Sequence, residues 1–187
     1  MALTTSLYQH MKYIFLIVGL LLSTVAQTAH IEGVYKYSSF GMEAESWGDP
    51  LFIMIGQRPT KMPPFIGAGS EVERAEFCDR EDANICVTSH QLTFSVPKMR
   101  VKKGDSWDFK NVTFSVSGEL NVEMLGHEFG AYRIIARSAD SIRWVFVYSY
   151  EIGLVLIEEY AETRKHPVVY VLAGEAGFGG VAATENQ

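Results

Sequence analysis

His127-Glu128-Phe129-Gly130-Ala131 is the nearest approach in this chain to a catalytic signature. A zinc hydrolase helix of the HExxH kind needs a second histidine four residues after the first, so that both imidazoles project from one helix face. Ala131 stands there instead, and the segment is expected to be an ordinary turn or connection. His90 and His166 are scattered far from His127, so no three-histidine metal site is expected. The chain has no GxSxG elbow and no glycine-rich loop ending in GK followed by Ser or Thr. Glu158 and Glu159 would alternate across a strand and could not enter one pocket together. Glu119 and Glu123 share a face, but it is the side opposite Leu120 and Val122, where water is expected. No catalytic residue, metal or cofactor is therefore predicted.

Two other groups carry chemistry. Cys78 and Cys86 are the only cysteines, and CDREDANIC would close a small loop between β segments. A disulfide is expected there, contributing about 2–3 kcal/mol through loss of unfolded-chain entropy. KMRVKK, from Lys98 to Lys103, precedes Trp107 and Phe109. Basic groups beside rings suit phosphate, in nucleic acid or in lipid headgroups. The patch is short, and the whole chain carries 22 acidic against 16 basic residues. That balance argues against nucleic acid as a partner and leaves headgroup contact as a minor use of what is otherwise a charged turn.

The elements that would position these residues are mostly strands, because the apolar period is mostly two. The first strand is expected within Ile31–Phe40, the next at Leu51–Ile55, and a loop from Gln57 to Ser70, where three prolines and two glycines occur. Glu71–Cys78 reads as a strand or a short helix. Extended structure resumes over Ile85–Val96, with Leu92, Phe94 and Val96 on one side. Val112, Phe114, Val116, Leu120, Val122 and Met124 share one parity, which predicts either one bent strand or a hairpin turning near Ser117-Gly118, with that set buried. A meander follows: Tyr132–Arg137, Ile142–Tyr150, Leu154–Tyr160 and Val168–Leu172. The predicted fold is all-β, an antiparallel barrel-like or barrel/sandwich arrangement with short helical or irregular connections. A barrel is favoured over a sandwich because closure removes exposed strand edges.

Ahead of these strands, Lys12 precedes an apolar run, Tyr13–Leu22, and Thr24-Val25-Ala26 supplies small residues for a cut. The run is short for a membrane-spanning helix, which wants about 20 apolar residues, and suits a cleavable signal peptide over residues 1–26. Residues 27–187 then form a single exported domain, periplasmic or extracellular, with 22 acidic and 15 basic residues. In scale, strand richness and a Gly33 near the first strand followed by aromatics, the chain resembles small secreted β-barrels such as lipocalin-like proteins. No motif carries binding residues across from them.

Tyr35, Tyr37, Phe94, Phe114, Trp144, Phe146 and Tyr148 are the residues expected to line a ligand cup or to fill a core. The function expected from these features is a noncatalytic exported binding or assembly domain, contacting a protein or an apolar small ligand. The alternative is a small secreted hydrolase with a nonlocal acid- or histidine-based site.

Overall fold

The computed structural model describes residues 33–39, 52–57, 63–139 and 141–180. The expected signal peptide lies outside the described residues. Among them the chain forms thirteen strands and no helix. They are β1 (Val34–Ser39), β2 (Phe52–Gly56), β3 (Phe65–Ala68), β4 (Glu71–Arg74), β5 (Glu76–Phe77), β6 (Asn84–Thr88), β7 (Thr93–Pro97), β8 (Ser106–Phe109), β9 (Val112–Met124), β10 (His127–Ser138), β11 (Ser141–Ser149), β12 (Gly153–Glu159) and β13 (Val168–Leu172). All pairings are antiparallel. Ten strands form one sheet in the order β4-β3-β2-β1-β13-β12-β11-β10-β9-β8, and β5-β6-β7 form a second, smaller sheet.

The expected meander is present, strand for strand, from β10 to β13. The favoured barrel is not. β4 and β8 end the large sheet without bonding to each other, and the arrangement is sandwich-like. The cause lies at Ala75: the strand that would have continued the large sheet passes from β4 through this one residue into β5 of the small sheet. A strand that switches sheets makes a corner between them, and here β4 is left as an edge rather than paired with β8. Connections are turns and irregular segments, with none of the short helices allowed for from the sequence among the described residues.

Two other local expectations are corrected. The loop assigned to Gln57–Ser70 contains β3, because Phe65 and Ile66 find a partner in β2, opposite Gly56 and Ile55. His127–Ala131 is strand, not turn; the turn comes earlier, at Leu125-Gly126, where both residues take positive φ (54° and 79°). That two-residue geometry matches the twist of a hairpin, and Gly126 suits it. Of the two readings of Val112–Met124, the single bent strand holds: β9 runs unbroken through a bulge at Ser117. Arg133 lies opposite Gly118 and Ile134 opposite Val116, leaving Ser117 as the extra residue, its hydroxyl donating to the Arg133 carbonyl at 3.0 Å.

The inner face of the large sheet and the facing side of the small sheet share one core. Tyr37, Phe114, Phe146, Tyr148 and Tyr170 come from the first, Val87, Phe94 and Val96 from the second. The C-terminal tail supplies one more ring. Glycines at 153, 177 and 180 let the tail lie backbone against backbone on the start of β12, since a Cβ at any of them would collide with the neighbouring main chain. Leu154 N–H donates to Phe178 O at 2.9 Å and Gly177 N–H to Ile152 O at 2.7 Å. The Phe178 ring is thereby held among Tyr35, Phe77 and Phe94, with centroids 5.6–6.1 Å apart.

Tyr37 locks this tail. Its hydroxyl donates to Leu154 O at 3.0 Å and accepts the Phe178 N–H at 3.1 Å, all in the interior. Tyr37→Phe leaves both backbone groups without that partner, and should lower unfolding stability by about 1–3 kcal/mol. Denaturant unfolding of the variant checks this; an unchanged midpoint would show that the tail is not held in this way.

Candidate interaction surface

The residues expected from sequence to line a ligand cup or to fill a core are all buried. Phe94 lies 5.0 Å from Phe146 and 5.7 Å from Tyr148 between ring centroids, and Phe114 lies 6.4 Å from Phe146. Trp107, seen from sequence only as a neighbour of the basic patch, stacks on Phe114 at 5.7 Å with the rings nearly parallel. Tyr35 and Tyr37 pack from β1, and Trp144 is buried with the Arg143 guanidinium 5.0 Å from its ring. Edge-to-face and stacked pairs of this kind are contacts of a filled core.

Cys78 and Cys86 are bonded, as expected, across a sequence separation of 8. The loop they close is braced from within, where the Asp82 carboxylate accepts the Asp79 N–H at 2.8 Å. It is braced from outside by the Lys98 ammonium, which donates to the Arg80 carbonyl at 2.5 Å. Lys98 is thus a structural member of the KMRVKK segment. Pro97 and Met99 are held as well: the Tyr150 hydroxyl lies 2.9 Å and 2.7 Å from their carbonyl oxygens and donates between them. A cleft of about 830 Å³ runs beside the disulfide, lined by Gln57, Pro64, Phe77, Arg80 and Lys98 among others. Those residues include no pairing of a nucleophile with a base.

The surface with most character is the β9–β10 hairpin. The bulge at Ser117 reverses the facing of β9, so the single parity seen in sequence serves two faces. Val112, Phe114 and Val116 enter the main core, as expected. Leu120, Val122 and Met124 lie on the opposite face of the sheet, where Phe129, Ala131, Val147 and Val155 form a second, smaller apolar cluster. The expectation that the whole set is buried is therefore corrected: Leu120 is 37% exposed and Val122 and Met124 are only half-buried; at the turn, outside that set, Leu125 is 71% exposed.

Glu119, Glu123 and Glu128 occupy the other face of this arm and are exposed. Glu123 stands directly opposite Glu128, an arrangement that like charges disfavour. None of the three side chains has an ion pair or hydrogen bond among the described residues. At the arm's base a small cleft of about 220 Å³ is lined by Arg100, Glu119, Asn121, Tyr132, Tyr150 and Glu151, among others. No hydrogen bond to the Glu119 or Glu151 carboxylate is found among the described residues. His90, His127 and His166 are each exposed and do not converge, and no group of three or more metal-binding side chains is found among the described residues.

Burial raises the tyrosine ionisations. Tyr37 and Tyr148 are pushed far above the ordinary phenol range by desolvation, which the Phe178 N–H opposes at Tyr37 by favouring the phenolate. Unfolded tyrosine ionises near about pH 10, whereas the folded groups hold their protons. Stability is therefore complete below that pH and falls as pH rises from there toward the folded values, by up to about 1.4 kcal/mol per pH unit for each of the two. Tyrosinate absorbance and circular dichroism should change together in alkaline titration. Early ionisation of every tyrosine in a still-folded protein would contradict the burial. Replacing Cys78 and Cys86 by serine should cost about 2–3 kcal/mol in the same unfolding measurement. No family model, curated protein or solved structure matches this chain.

Proposed function

We propose that this is a noncatalytic exported domain that works by contacting a protein through the β9–β10 arm. The observation that carries this reading is the arm itself, with its two chemically distinct faces and the exposed Leu125 at its tip. A large aliphatic side chain in a positive-φ turn gains nothing from either its backbone conformation or its solvent exposure. Burial against a partner removes the second penalty. The ring contacts inside the sandwich favour a protein over an apolar small ligand, since the interior residues first considered for a ligand cup are in contact with one another.

Export is supported by the apolar leader pattern, Tyr13–Leu22 followed by Thr24-Val25-Ala26, and by the Cys78–Cys86 bond, which an oxidising compartment sustains. A periplasmic or extracellular setting fits both.

A photoreactive residue placed at Leu125, Val122 or Leu120 in the producing cell tests the reading. Met99, 81% exposed in the basic segment, serves as the control position. Arm positions should give a discrete protein adduct that Met99 does not. Adducts equally frequent at Met99, or absent from every arm position, would remove the proposal.

A further inference from the structure

The backbone of β9 narrows the partner further. β8 pairs with β9 only over Val112–Ser115, and two more bonds join Val116 to Gly104 and Asp105. From Gly118 to Met124 the strand has β10 on one side and, among the described residues, no strand on the other. The two-residue turn at Leu125-Gly126 makes Met124 and His127 a hydrogen-bonded pair, and antiparallel pairs alternate from there. Glu119, Asn121 and Glu123 consequently direct their N–H and C=O groups away from β10, toward the open edge. These outward groups have no bond among the described residues. The opposite end of the sheet, β4, is an edge of four residues, Glu71–Arg74.

An open row of donors and acceptors templates another strand. Its side chains decide which. An added strand would place alternate residues beside Glu119 and Glu123 on one face and beside Leu120, Val122 and Met124 on the other. A second copy of this chain, paired antiparallel about Asn121, would set Glu119 against Glu123 of its partner. A parallel copy would also bring like carboxylates together, next to Glu128. Both arrangements oppose like charges. Arg100 lines the same cleft as Glu119 at the arm's base. Glu123 and Glu128, nearer the tip, are not among that cleft's lining residues.

We infer that the open edge of β9, Gly118–Met124, captures by strand addition an extended segment of another protein in which Lys or Arg alternates with apolar residues. This rests on the protein-contact reading above and assigns the partner's chemistry. Two basic residues spaced four apart would face Glu119 and Glu123, and the apolar residues between them would extend the row of Leu120, Val122 and Met124.

The test uses the disulfide-bonded mature chain and synthetic extended peptides matched in length to the edge. One alternates Lys with Val, one alternates Glu with Val, and one repeats the Lys/Val sequence with N-methyl groups on the amides that would bond β9. The Lys/Val peptide should bind and slow hydrogen exchange at the Glu119, Asn121 and Glu123 amides by about tenfold or more. Binding should weaken about tenfold in the Glu119→Gln/Glu123→Gln double variant, which alters exposed groups only, and should vanish for the N-methylated peptide. Equal binding of the Glu/Val or N-methylated peptide, binding without protection of those amides, or no binding at all would overturn the inference. A dimer in native mass measurement that Asn121→Pro dissolves would also overturn it, by making the occupant a second copy. Cross-links from Leu125 that persist when the peptide test fails would leave protein contact standing and remove only strand addition. Failure of both would remove the underlying reading as well.

Discussion

Everything outside the core is arranged around the contact of Phe94 with Phe146, Tyr148 and Phe178. These rings join the small sheet, the middle of the large sheet and the C-terminal tail. The small sheet has only three strands, one of them two residues long, and has little stability apart from such packing. By covering the inner face of the large sheet it relieves that sheet of the need to close on itself. Among the described residues the edges that a barrel would have removed therefore survive.

The consequence is greatest in β9. Its inner half, Val112–Val116, is committed to the core and paired on both sides. Beyond the Ser117 bulge the same strand is paired, among the described residues, on one side only and turns its apolar residues to the opposite face. One extra residue thus converts a structural strand into an arm, as bulges do where a chain must re-aim its side chains. The second apolar cluster, Phe129, Ala131, Val147 and Val155, anchors the arm's base, so its faces hold a defined orientation relative to the large sheet.

Strand content and the C-terminal meander were legible because alternation over several residues has one physical meaning. The disulfide was legible from the spacing of the only two cysteines. The seven aromatic positions were legible as inward-facing, but their mutual contacts were not, since whether rings fill a space or surround one depends on what the other sheet contributes. The arm was not legible. Leu120, Val122 and Met124 share the parity of Phe114, and a bulge between them changes no residue type. The signal that existed was Gly118, which interrupts the apolar series where the strand's facing reverses. The barrel preference failed for a related reason: nothing in Arg74-Ala75-Glu76 distinguishes a strand that continues in one sheet from one that crosses to another.

The acidic face of the arm bears on how an open edge avoids pairing with its own kind. Free strand edges invite pairing between copies, and natural sheets discourage it with charge, proline or short length. This edge has no proline over seven residues, so charge carries the whole burden. Glu119 and Glu123 repel an identical strand, while the directly opposed Glu123 and Glu128 sacrifice some hairpin stability to concentrate that repulsion near the tip. The same carboxylates attract a basic strand. Protection from self-association and choice of partner are then one electrostatic device acting on one backbone edge, and weakening it by neutralising the glutamates would loosen both together.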